Sequence, residues 1–113
     1  MKLIKIAKDK EKASNIIKMV SLIEERIEKQ DKERMSALII SDYYEIIKEL
    51  ITAILFIDGY KTLSHKDLVD YLGKKYSEFK ESEILLLNEL RILRNRISYE
   101  GYIVQPFYLK RNE

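Results

Sequence analysis

Apolar residues recur along this chain at helical spacing almost from end to end. From about Asp9 to Gln30, Ala13, Ile16, Val20, Ile23 and Ile27 follow one another at steps of three and four, with Lys, Glu and Arg on the other face. That is the period of an amphipathic helix with one side turned to a core. The charged stretch Lys29-Gln30-Asp31-Lys32-Glu33 reads as a connection. A second helix, from about Arg34 to Ile57, carries two adjacent stripes: Ile39, Tyr43, Ile46, Leu50, Ala53, Ile57, and beside them Ile40, Tyr44, Ile47, Ile51, Ile54. One stripe serves one neighbour. Two make a face so wide that the helix must be central, or shared with a second subunit.

Asp58-Gly59-Tyr60 ends this helix, with glycine where a left-handed C-terminal residue is wanted. Ser64, with Asp67 three residues on, reads as the N-cap of a short helix through Leu68, Val69 and Leu72 that stops near Gly73. A last helix runs from about Ser82 through Leu86, Leu90, Leu93 and Ile97, ends at Gly101, and is followed by Pro106 and a tail to Glu113. No strand-like alternation of useful length, repeat or low-complexity linker interrupts the pattern. Short connections favour antiparallel neighbours. The expectation is an all-α fold, one domain over residues 1–113, built as an antiparallel up-down four-helix bundle and, given the double stripe, homodimeric.

Composition narrows the function classes. With 46% hydrophobic and 35% charged residues the chain is globular, and a net charge of +2 is too small to argue for nucleic acid by itself. The absence of cysteine excludes disulfides, thiolate metal sites and a cysteine nucleophile. One histidine, His65, excludes a multi-histidine metal cluster, so no metal or cofactor is expected. The start, Met1 to Ile6, is too short and too charged for a signal peptide, and no apolar run approaches the roughly 18 residues of a membrane span. A cytoplasmic, soluble protein without a membrane partner is expected. The bias towards Ile, Lys and Glu, with little Gln, resembles that of hyperthermophile proteins.

The candidate chemistry is concentrated in Arg94-Asn95-Arg96-Ile97-Ser98-Tyr99-Glu100-Gly101-Tyr102. Guanidinium, amide, guanidinium and phenol offer many donors suited to phosphate, with Glu100 the one strong acceptor among them. Arg94, Asn95, Arg96, Tyr99 and Tyr102 are therefore the candidate ligand-binding residues. Each also has a plainer role: cations near a helix C-terminus complement its dipole, and tyrosines pack. Tyr43 and Tyr44 are expected in core and interface, and His65, in the first turn of its helix, on the solvent side. Asp42, Glu45 and Glu49 edge the second helix, either paired with lysines or holding the Arg94 guanidinium.

Asp58-Gly59-Tyr60-Lys61-Thr62-Leu63-Ser64-His65, followed some thirty residues later by Leu93-Arg94-Asn95-Arg96-Ile97-Ser98-Tyr99-Glu100-Gly101, resembles the HEPN family, and within it the archaeal branch. The likeness extends from about Ala7 to the end, with the Arg-Asn pair its most diagnostic part. It implies a four- or five-helix bundle that dimerises. Active members place an arginine, four variable residues and a histidine at a dimer cleft and cut RNA without metal; many partner a minimal nucleotidyltransferase in toxin–antitoxin pairs. By position the motif arginine is Arg94 and the polar residue after it Asn95, while the histidine position holds Tyr99. A phenol with a pKa near 10 is a poor base at neutral pH, and losing such a group typically costs about two to four orders of magnitude. Phosphate binding survives that change better than catalysis.

The tyrosine modified in such pairs falls at Gly101, one residue before Tyr102, and does not carry over. Family members often continue past a segment like Tyr108 to Arg111 into a further helix, and without one the surface near Leu109 is expected to be exposed. The resemblance implies a catalytically degenerate, non-enzymatic module that binds a nucleotide or phosphate-containing ligand, or partners a nucleotidyltransferase. Two alternatives stand beside it: a metal-independent ribonuclease using Arg94, Asn95 and Tyr99, and an interaction-only helical bundle.

Overall fold

The computed structural model describes the backbone of residues 1–100 and the side chains of residues 1–98. Four helices make up most of it: α1 (Lys10–Glu28), α2 (Ser36–Asp58), α3 (His65–Lys75) and α4 (Glu81–Glu100). The fold is helical, as the periodicity requires. It also holds two short strands that periodicity does not announce, β1 (Ile4–Lys5) and β2 (Tyr60–Lys61), paired antiparallel with Ile4 opposite Lys61. Two residues are too few for an alternation to register. Long-range bonds continue beyond the pair: the Ile6 N–H donates to the Gly59 carbonyl and the Asp9 N–H to that of Phe56, both at 2.9 Å.

Local chemistry sets the helix ends. Asp9 caps α1, its carboxylate accepting the Lys12 N–H at 2.9 Å. Asp31 accepts the N–H groups of Glu33 and Arg34 and shapes the charged connection, so α2 starts at Ser36, slightly later than the pattern indicates. Gly59 takes a left-handed φ of 89°, and a Cβ there would stand 3.1 Å from the Ile6 carbonyl oxygen; bend and close approach both call for glycine. Ser64 caps α3 through the Asp67 N–H at 3.3 Å. Asp67 itself turns away to accept the Lys2 N–H at 3.0 Å.

Gly73 does not end α3. The helix continues to Lys75 and stops where Tyr76 becomes extended. Gly73 lies where α3 passes α4, its missing Cβ 3.4 Å from the Ile84 side chain. Tyr76 leaves the helix and donates its hydroxyl to Asp58 at 2.6 Å.

α2 is the centre of the molecule: α1, α3 and α4 all pack against it. Asp9 meeting Phe56 at one end and Arg26 meeting Asp42 at the other make α1 and α2 an antiparallel hairpin. One core cluster joins Val20 and Ile27 to Ile39, Ile40 and Ile46, with Leu90, Leu93 and Ile97 of α4 against it; Tyr43 packs there half-buried. A second joins Ile51 and Leu55 to Leu68, Tyr71 and Leu72, with Ile84 and Leu87 of α4 alongside. The double stripe is incompletely covered. The backbones of α1 and α4 do not approach each other, and an open groove of about 410 Å³ runs over Ile47, Leu50, Ile54 and Ile57, bordered by Ile17 and Leu87. No described helix is long and apolar enough to cross a membrane.

Candidate functional site

α4 carries Arg94 and Asn95 half-buried and Arg96 exposed. Two residues along a helix is a rotation of roughly 200°, so Arg94 and Arg96 project from different sides of α4 and do not converge on one ligand. Arg94 Nη1 and Asn95 Oδ1 are 3.4 Å apart, a long and weak bond. Tyr99 belongs to α4 by its backbone, but its side chain lies outside the described residues, as do Tyr102 and Leu109 altogether.

The Arg94 charge acts on an arrangement that no local motif encodes. Tyr44 of α2 is 2% exposed, and its ring stands 6.0 Å from the imidazole of His65, tilted by 46°. His65 is half-buried, contrary to the solvent-side placement expected from the sequence. The first turn of α3 lies against α2, so the imidazole covers Tyr44 rather than water. Arg91, one turn before Arg94 on α4, contributes its charge to the same two rings. Burial, followed by the fields of Lys48, Arg94 and Arg91, pushes the His65 pKa below the ordinary imidazole value, against an opposing pull from Glu45. His65 is therefore held neutral at pH 7. Burial raises the Tyr44 phenol, partly countered by Arg91 and Arg94.

The acidic edge of α2 does not hold Arg94. Asp42 takes Arg26, at 2.7 and 3.2 Å. Glu45 and Glu49 both turn to Lys48, at 2.6 and 3.3 Å. Among the described residues no carboxylate pairs with Arg91 or Arg94. The Arg91 Nε is buried without a hydrogen-bond partner, and so, one turn earlier, is Asn88 Oδ1. A buried charged donor without an acceptor costs free energy. An oxyanion is the natural complement of two guanidiniums.

Comparison of this chain with protein families, curated proteins and solved structures finds no match. The reading of the site rests on its own chemistry. The sequence pointed to Arg94 and Asn95; the charges of Arg91 and Arg94 acting on Tyr44 and His65 went unread in it. The one available signal was the three-residue step from Arg91 to Arg94, which puts both guanidiniums on neighbouring positions of one helix face. Among the described residues no group of three or more His, Asp or Glu is placed to hold a metal ion.

Proposed function

We propose that this chain is a HEPN-like module, an up-down helical bundle acting as a cytoplasmic homodimer, that binds a nucleotide or other phosphate-bearing ligand through Arg94 rather than cutting RNA. The observation that carries this is the half-buried Arg94, with no carboxylate partner among the described residues and with Arg91, Tyr44 and His65 around it. A partner of nucleotidyltransferase type fits the same reading, since such an enzyme handles nucleotides. The test titrates a nucleotide into the protein and incubates the protein with RNA in chelator. Binding is expected to weaken at least about tenfold in Arg94→Ala, as loss of a charge-assisted contact implies, while the RNA stays intact. Nucleotide binding indifferent to Arg94→Ala would leave the interaction-only reading.

One observation favours the ribonuclease alternative. The His65 imidazole of α3 feels the Arg94 charge, and the family resemblance pairs such an arginine with an imidazole. Metal-independent RNA cleavage that disappears in Arg94→Ala would establish it.

The homodimer is supported by the uncovered groove over α2, where Leu50 and Ile57 are 39% and 42% exposed. Light scattering at micromolar concentration is expected to show a dimer, and Leu50→Lys a monomer that stays folded, because a charge in an apolar interface is costly while Leu50 is half in solvent already. A wild-type monomer would count against this part of the reading.

A further inference from the structure

We infer that the first turn of α3 is an acid-operated latch: the uncharged imidazole of His65 holds that turn against Tyr44 of α2, and uptake of a proton releases it. The inference is independent of any ligand.

The latch is built by contact. His65 is the first residue of α3, directly behind the Ser64 cap, and its ring meets that of Tyr44 at 6.0 Å between centroids, tilted by 46°. Tyr44 is 2% exposed and His65 half-buried, so the two rings shield each other from water. The turn's own hydrogen bonds are long: Ser64 accepts the Asp67 N–H on its hydroxyl and the Leu68 N–H on its carbonyl, both at 3.3 Å. From Leu68 onward α3 is anchored separately, by the buried Leu68, Val69, Tyr71 and Leu72 and by the bond from Tyr71 to Asp58. Release of the first turn therefore leaves the rest of the helix docked.

A proton on His65 is disfavoured where the ring sits. The imidazolium would lose water against a buried phenol, and it would stand at the N-terminus of α3, where the free N–H groups already present partial positive charge. The charged groups acting on the imidazole are Lys48 and Glu45 from α2 and Arg91 and Arg94 from α4. Lys48 and Glu45 pair with each other at 2.6 Å and leave little net charge, whereas neither arginine has a carboxylate partner among the described residues. On α3 itself, Lys66 is exposed and the Asp67 carboxylate accepts the Lys2 N–H at 3.0 Å. The balance is positive. A cation over the Tyr44 ring would recover something, but a tilted approach at roughly 6 Å is the outer limit of that interaction.

Burial and these cations hold the imidazole pKa below its ordinary value. The released turn thus binds a proton more readily than the docked one. Docking is complete above the ordinary value and weakens as pH falls from there towards the docked one.

His65 is the one histidine of the chain, so its imidazole gives a single assignable signal in an NMR titration. That signal is expected to titrate with a midpoint below about 6.5. Protection of the Asp67 and Leu68 amides against hydrogen exchange, corrected for the intrinsic rate, should fall about fivefold or more between pH 7 and pH 5, while that of Leu72 stays level. His65→Phe keeps a ring on Tyr44 without the proton and should make this protection independent of pH. His65→Gln, which has no ring to dock, should show the same independence at lower protection. A midpoint at or above the ordinary value, wild-type protection that ignores pH, or a pH dependence that survives in His65→Phe would overturn the inference.

Discussion

Asp58→Asn is expected to lower the stability of this protein by about 3 kcal/mol, because one carboxylate oxygen organises the join between α2 and α3. Asp58 Oδ2 accepts hydrogen bonds from the hydroxyls of Tyr71 and Tyr76, both at 2.6 Å, and Tyr71 is 1% exposed. The Tyr71 ring meets that of Tyr76 edge-on and that of Tyr60 at a tilt. Burial alone would raise the Asp58 pKa, but the two hydroxyl bonds and the charges of Lys75 and Lys8 outweigh it and hold the carboxyl below its usual range. The tyrosines move the other way. Its bond to Asp58 and then burial push Tyr76 up to about 12, while burial and the same carboxylate raise Tyr71.

The signs follow from linkage. Asp58 has a depressed folded pKa, so its contribution is present above the ordinary carboxylate value and fades as pH falls through the folded one. The tyrosines have raised folded values, so theirs is complete below the ordinary 10.0 and is lost as pH climbs from there towards 12. Urea unfolding from neutral pH to above pH 10 should show the wild type losing stability on the alkaline side. Asp58→Asn should start lower and fall less steeply, having lost the charge that holds the phenols protonated. A variant as stable as the wild type would mean that the tyrosines hold the join without Asp58.

Ile39→Ala is expected to remove about 2–5 kcal/mol, the usual range for emptying a fully buried aliphatic site. Ile39 is 0% exposed, at the meeting of α1, α2 and α4. Its neighbour Leu38 is 55% exposed, so Leu38→Ala should stay within about 0.5 kcal/mol. Thermal melts of the pair decide the register of α2: a drop of about 15 °C for the first and almost none for the second is the expected contrast. Equal losses would place the α2 faces wrongly.

Periodicity and capping are written within a few residues of the place they act, which is why α1, the Gly59 bend and the Ser64 cap were legible. Ala13, Val20 and Ile27 are buried as their spacing implies. In α4 the frame was read slightly off: Leu86 is 36% exposed, while Ile84 and Leu87 pack inward. Several leucines in a row there leave the stripe ambiguous, and the partner surface settles it. Gly73 misled because glycine ends a helix only where a left-handed turn follows, and here Ile84 packs beside it instead. The β1–β2 pair, the Asp58 tyrosine cluster and the meeting of His65 with Tyr44 depend on residues far apart in the chain. Asp58, Tyr71 and His65 each look ordinary alone. Arg94 stands out in the sequence because an amide sits beside its guanidinium, whereas Arg91 lies among leucines and isoleucines.

α1 has a consequence of its own. Among the described helices, its backbone comes close to that of α2 alone. A local opening that detaches α1 therefore leaves α2, α3 and α4 in contact with one another. Val20 and Ile27 would then leave the cluster against which Leu90, Leu93 and Ile97 of α4 pack, so loosening on the N-terminal flank is felt through the core at α4.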